Sequence, residues 1–212
     1  MLNYNAGNYT DAIRLLDSSR RLSTLAGDFY TLSNTINSFG NIEADLNNND
    51  QAKELYYQAS QMAEKHHLSR EAGVALGSLA HLEEDRNISI RLQKKALAFL
   101  LTDSGAVSET GYLLINMGLD YSDPDSAIAC FRKAVMIGNK SKIAEIALGA
   151  LNNMAYTFAE KGNFTEALRL LKDQAIPLAL QEKKTDWLPT VFDSYADLLK
   201  QTGMTNQAFI AQ

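Results

Sequence analysis

Residues 160–172 read EKGNFTEALRLLK, and residues 6–16 read AGNYTDAIRLL. Both run Gly-Asn-aromatic-Thr, then an acidic residue, then Ala, an aliphatic residue, Arg and two leucines. Anchored on the alanine that follows the turn, weaker copies fall between these two. The anchors are Ala12, Ala52, Ser89, Ala127, Ala167 and Ala208, at spacings of 40, 37, 38, 40 and 41 residues. A small residue (Gly40, Gly77, Ala155 or Ala196) stands twelve before four of them, and Ala59, Ala96 or Ala134 stands seven after. A period of this length marks an array of helical repeats.

Each copy reads as two helices. In residues 70–85, REAGVALGSLAHLEED, the positions Ala72, Ala75, Leu76, Leu79, Ala80 and Leu82 recur at steps of three and four, which lines one helical face. Two helices crossing at about 8 Å leave room only for Gly, Ala or Ser between them. The turn between helices carries Gly7, Gly162, Gly203 or Asn47–Asn49, residues that take positive φ at a helix end. Thr10 or Asp11, Asp50, Thr165 and Thr205 are expected to cap the next helix. In the fourth copy the turn is three residues shorter, and Asp123-Pro124 serves, with Pro at the first helical position. Helices are expected over 9–25, 28–46, 48–66, 69–85, 86–101, 105–122, 123–137, 141–161, 163–180, 184–202 and 204–212.

Composition narrows the function. Of the 212 residues 46% are hydrophobic and three are proline, as suits a helical chain with a real core. Twenty basic against 25 acidic residues leave a net charge of −5, which argues against binding nucleic acid through its phosphates. A single cysteine, Cys130, excludes a disulfide framework and a cysteine-based zinc site. No run of 18 apolar residues occurs, so no helix inserts in a membrane. The start, MLNYNAGNYTD, lacks the basic and apolar stretches of a signal peptide, so a cytoplasmic setting is expected, with the periplasm as the alternative if a parent chain carries a signal.

The copies resemble the tetratricopeptide repeat, in the subset with repeats of about 40 residues. NMAYTFAEKGNFTEALRLL (153–171) has Ala155, Phe158, Gly162, Ala167 and Leu171 where that family has a small residue, a large one, glycine, alanine and a large apolar one. NMGLDY (116–121) matches the first half with Gly118 and Tyr121, and residues 40–59 match with Gly40, Ala52, Tyr56 and Ala59. The third copy departs, with Ser89 and Gln93 at core positions and no turn glycine. The resemblance implies an all-α solenoid, a right-handed superhelix of antiparallel helix pairs. It implies a protein- or peptide-binding scaffold or sensing module without catalysis and without a cofactor. The alternative is a regulatory module of a larger signalling protein, a kinase or transcription regulator, whose effector domain is not in this chain. One array is expected over 1–212, with incomplete helix pairs at both ends, as in a fragment of a larger protein. Apolar residues there (Ile13, Leu16, Phe209, Ile210) are expected to be exposed and to favour self-association.

The resemblance also assigns an inner wall to the first helix of each copy. In the second copy it includes Asn34, Asn37 and Asn41; in the fourth, Tyr112, Ile115, Asn116 and Leu119; in the fifth, Asn152, Asn153 and Tyr156; in the sixth, Asp193 and Asp197. Asparagine is a poor helix former, so several on one wall point to a use. Its amide both donates and accepts, which matches the backbone of an extended peptide. Apolar pockets are expected beside Tyr112, Ile115 and Leu119, and a preference for a basic ligand residue near Asp193 and Asp197. The corresponding positions carry no Lys or Arg, which argues against the grip on a C-terminal carboxylate that some relatives use.

Other chemistry finds little support. His66 and His67 are adjacent on a helix and point about 100° apart, so they do not chelate one metal together, and His81 has no carboxylate spacing beside it. Cys130 between Ala129 and Phe131 reads as a packing residue. Glu83-Glu84-Asp85 reads as a solvated turn, and the sequons at Asn8, Asn87, Asn139 and Asn163 partly as turn and cap chemistry.

Overall fold

The structure is a computed structural model that describes residues 9–203. The turn Gly7, the cap Thr205, the anchor Ala208, Phe209, Ile210 and the expected helix over 204–212 lie outside the described residues. The chain divides into two compact units, Met1–Ala106 and Val107–Gln212. The first holds α1 (Tyr9–Ala26), α2 (Phe29–Asp45), α3 (Asn49–Lys65), α4 (Ser69–His81) and α5 (Arg86–Leu100). The second holds α6 (Val107–Asp120), α7 (Pro124–Ser141), α8 (Ala144–Glu160), α9 (Phe164–Leu170), a π-helical turn (Leu171–Ala175), α10 (Ile176–Gln181) and α11 (Leu188–Gln201). No strand occurs among the described residues.

Within each unit consecutive helices pack as antiparallel pairs, and the first helices of successive copies also touch: α2 with α4, α6 with α8, α8 with α11. The spacing of small residues explains the pairing. A Cβ on Gly40 would lie 2.6 Å from Cε1 of Tyr56, so α2 and α3 approach as closely as they do only because position 40 has no side chain. Gly118 and the Phe131 ring repeat this relation between α6 and α7. In both copies the aromatic follows the anchor alanine by four residues. Ala52, Ala155 and Ala167 are fully buried. The serine at the third anchor is accommodated differently: Ser89 is buried, and its hydroxyl donates to the Ala80 carbonyl at 2.9 Å.

The turns follow the expected chemistry in part. Gly162 (φ 76), Gly203 (φ 78) and Asn47 (φ 62) are left-handed, and so is Gly27 between α1 and α2; His67, Lys142 and Lys183 are too, which the sequence does not signal. Asp123 caps α7, accepting from Ser126 N at 3.0 Å, with Pro124 in the first turn. Elsewhere the caps differ. Asn163, not Thr165, caps α9, accepting from Glu166 N; Asn48 precedes α3, with Asp50 inside its first turn; Thr10 and Asp11 lie within α1. Helix α4 ends at His81 rather than 85, because Asp85 turns back to accept the N–H groups of Asn87 and Ile88 at the head of α5. Helix α7 runs on to Ser141, and α11 begins at Leu188 rather than 184.

The expected helix over 163–180 forms, but it widens. Pro177 has no N–H to give to residue 173, and its ring would collide with that carbonyl in a regular α-helix. The chain inserts a π-turn instead, in which Ile176 N–H bonds to Leu171 C=O, and the helix resumes through Gln181. At the N-terminal side, Leu16 is buried at 6% exposure, contrary to expectation: it faces α2. Ile13 is exposed, as are Leu15, Leu22 and Leu25 on the same helix.

Candidate functional site

The residues expected to form a wall fall on the first helices of their copies, on α2 in the first unit and on α6, α8 and α11 in the second. Fifteen residues before the anchor stand Asn37 (α2) and Asn152 (α8); the same repeat position holds Val74 in the third copy, Ile115 in the short-turn fourth copy and Asp193 in the sixth.

In the first unit Asn34, Asn37 and Asn41 lie half-buried along α2. Their roles differ. Asn41 Oδ1 accepts from the Tyr56 hydroxyl at 2.8 Å, which commits that oxygen to the packing of α2 against α3. Asn37 Oδ1 is buried with no hydrogen-bond partner. In the second unit, Asn152 Oδ1 is buried and unpartnered in the same way. Buried acceptors are nearly always paired, because leaving one dry costs about 1–3 kcal/mol. Two unpaired ones at one repeat position form a pattern.

Around Asn152 the second unit assembles the remaining candidates. Tyr112 and Leu119 stand exposed on α6, while Ile115 between them is buried. Ile115 is therefore floor rather than wall. Asn116 and Asn153 are half-buried on α6 and α8. Tyr156 is one turn beyond Asn152, and its hydroxyl donates to Ser194 Oγ on α11 at 3.1 Å, tying the two first helices together. Asp193 and Asp197 are exposed on α11; Asp197 has Lys200 at 3.5 Å, a solvated pair worth little.

One residue beside these candidates was not read from the sequence. Trp187, the chain's one tryptophan, immediately precedes α11. A Cβ built on Gly149 would lie 3.4 Å from Cη2 of Trp187 and 3.6 Å from Cδ1 of Ile115. The glycine leaves empty the place that Tyr112 fills one copy earlier, and the indole lies across it. The turn that bears Trp187 is fastened to the start of α8: Lys184 Nζ donates to Glu145 Oε1 at 2.6 Å, and Trp187 N–H donates to Lys184 C=O at 3.0 Å. That contact holds the Glu145 carboxyl below its ordinary range and the Lys184 ammonium above its own. The signal was the pair Gly149 and Trp187, whose 38-residue separation gives no hint without the fold.

The other candidates have structural surroundings. His66 closes α3 and stacks on Phe29, ring centroids 3.5 Å apart; His67 occupies the left-handed turn after it. Cys130 is buried on α7, and Glu83 pairs with Lys53 at 3.5 Å.

The fold is thus that of an all-α solenoid of antiparallel helix pairs. Residues 147–173, which span most of α8 and the first part of the helix after it, match the sequence profile of the tetratricopeptide repeat. Beyond that one stretch, the likeness to tetratricopeptide-like repeats rests on the fold. Its structure is similar to that of BtubC (BKLC) from P. vanneervenii, at TM-score 0.80 and 14% identity, over 95% of this chain and 85% of that one. It is similar to a signal-transduction ATPase with numerous domains carrying a tetratricopeptide repeat sensor, from Pyrococcus horikoshii, at TM-score 0.77 and 13% identity, over 95% of this chain and 32% of that one. The Rap conjugation gene regulator of plasmid pLS20, solved in complex with the Phr peptide, matches at TM-score 0.56 and 16% identity, over 89% of this chain and 53% of that one. No curated protein matches the chain significantly by sequence.

Proposed function

We propose that this chain is a binding module that takes an extended protein or peptide segment on the wall of its first helices, and that it acts by binding rather than by catalysis. The observation that carries this reading is the pair of buried, unpartnered acceptors, Asn37 Oδ1 and Asn152 Oδ1, at one repeat position. In each unit separately, an extended ligand backbone offers an N–H donor to the unpartnered oxygen, and a segment bound there would relieve the cost of leaving it dry. Tyr112, Leu119 and Tyr156 add exposed apolar surface, and Asp193 and Asp197 add negative charge. Each hydrogen bond contributes about 0.5–1.5 kcal/mol net, so micromolar affinity is the expectation for a short segment.

A second reading is compatible with the first: the wall is the sensing part of a larger regulator. It is supported by the similarity to a signal-transduction ATPase with a repeat sensor and to a Rap regulator solved with a peptide, each of which extends well beyond the aligned repeats. The test is a peptide-library selection with the native chain and with Asn37→Ala plus Asn152→Ala. Ligands lost by the double variant support the wall. Ligands retained equally assign binding to another face.

A further inference from the structure

The second unit does more than offer amides. At one repeat position its three first helices present Ile115, Asn152 and Asp193 in order along α6, α8 and α11. The indole of Trp187 lies against Gly149, one turn before Asn152, where Ile115 also approaches. Trp187 is half-buried, and its ring N–H has no partner among the described residues. Asp193 is exposed and likewise without a partner among them, whereas Asp197 already has Lys200. Within one turn and one helix step the wall therefore offers an aromatic platform, a dry acceptor and an open carboxylate.

Neighbouring packed helices lie about 8–10 Å apart, which is about three residues of extended chain at 3.3–3.6 Å each. We propose that the second unit selects an extended peptide that places an apolar or aromatic side chain on Trp187 and a lysine or arginine about three residues away on Asp193, with the backbone between them donating an N–H to Asn152 Oδ1. Trp187 is then the residue that sets specificity for the apolar side chain, and Asp193 the residue that sets it for the basic one. This rests on the peptide-binding reading above, and adds the ligand's side chains and their spacing.

The single tryptophan makes the site self-reporting, since its emission shifts to the blue when an apolar group excludes water from the indole. The probe is a phage-displayed library of linear random peptides, selected on the full chain. The selected peptides are then synthesised and titrated while Trp187 emission is followed. Expected are sequences with an apolar or aromatic residue three positions from Lys or Arg, and a blue shift that saturates with binding. Trp187→Ala should weaken binding at least tenfold. Trp187→Phe, which keeps the platform and the packing on Gly149, should retain most of it. Asp193→Asn should remove the preference for the basic residue and leave the apolar preference in place. Selected peptides that leave the emission unchanged, or that bind Trp187→Ala as well as the native chain, overturn this assignment while the peptide-binding reading stands. If the native chain selects no peptide at all, both fall together.

Discussion

At the scale of the residue, asparagines that look alike in the sequence do different work. Asn41 gives its oxygen to Tyr56, whereas Asn37 and Asn152 keep theirs buried and unpaired. Their substitutions should therefore move stability in opposite directions. Asn41→Ala strips the hydroxyl of the buried Tyr56 of this acceptor and should cost about 1 kcal/mol. Asn37→Ala or Asn152→Ala removes a dry acceptor and should leave stability unchanged or raise it, by up to about 1–3 kcal/mol. Urea unfolding of the three variants measures this. Loss of stability at 37 and 152 equal to that at 41 would mean that their oxygens are satisfied in solution. Ala167 presents a second case. It is fully buried where α9 meets α8, and Ala167→Leu should overpack the crossing and cost about 1–3 kcal/mol. A thermal melt matching the native chain would show that the repeat register is misplaced.

At the scale of the element, caps and breakers decide where helices begin and change form. Asp123 bonds both Ser126 N and Ser126 Oγ, and these bonds hold its carboxyl below its ordinary range. They favour the charged form, so their contribution is complete above the usual aspartate value of about 3.9 and fades as pH falls through the lower folded value. Asp123→Ala should lower the melting temperature at neutral pH, and the gap between variant and native chain should close as the pH falls below about 4. A gap that stays constant across that range would assign the cap's contribution to something other than its charge. The helix after Asn163 makes the complementary point. Its apolar periodicity is continuous from Ala167 to Ala179, so the sequence reads one helix. Pro177 forces the π-turn, and the register of everything beyond Ile176 shifts by one residue relative to a regular helix.

At the scale of the whole molecule, the repeat relation identifies surface that a neighbour would cover. Leu15 and Leu22 of α1 correspond, one period later, to Leu55 and Met62 of α3. The latter two pack against the cluster of Leu32, Ile36, Ala59 and Ala75, while Leu15 and Leu22 are 52% and 61% exposed. With Leu25 they form an apolar stripe of the kind that drives association. Sedimentation over a wide concentration range should show reversible self-association that Leu15→Glu plus Leu22→Glu abolishes. A native chain that stays monomeric throughout would show that the stripe is tolerated in water.

The sequence by itself determined the helical period, the pairing of helices and the alanine and glycine positions where they cross. These depend on local periodicity and on residue size, and both are written along the chain: Gly40 before Tyr56, Gly118 before Phe131, Ala155 before Ala167. It also set Asn37 and Asn152 at one repeat position, each on the first helix of its own copy. Tertiary structure alone decided which of these groups are satisfied. Whether an amide oxygen has a partner depends on residues of another helix, as Tyr56 does for Asn41. Trp187 could be assigned only once the fold brought it over Gly149, a contact between two copies at a place where neither follows the repeat pattern. Such contacts are set by packing between helices distant in sequence, and no periodicity announces them.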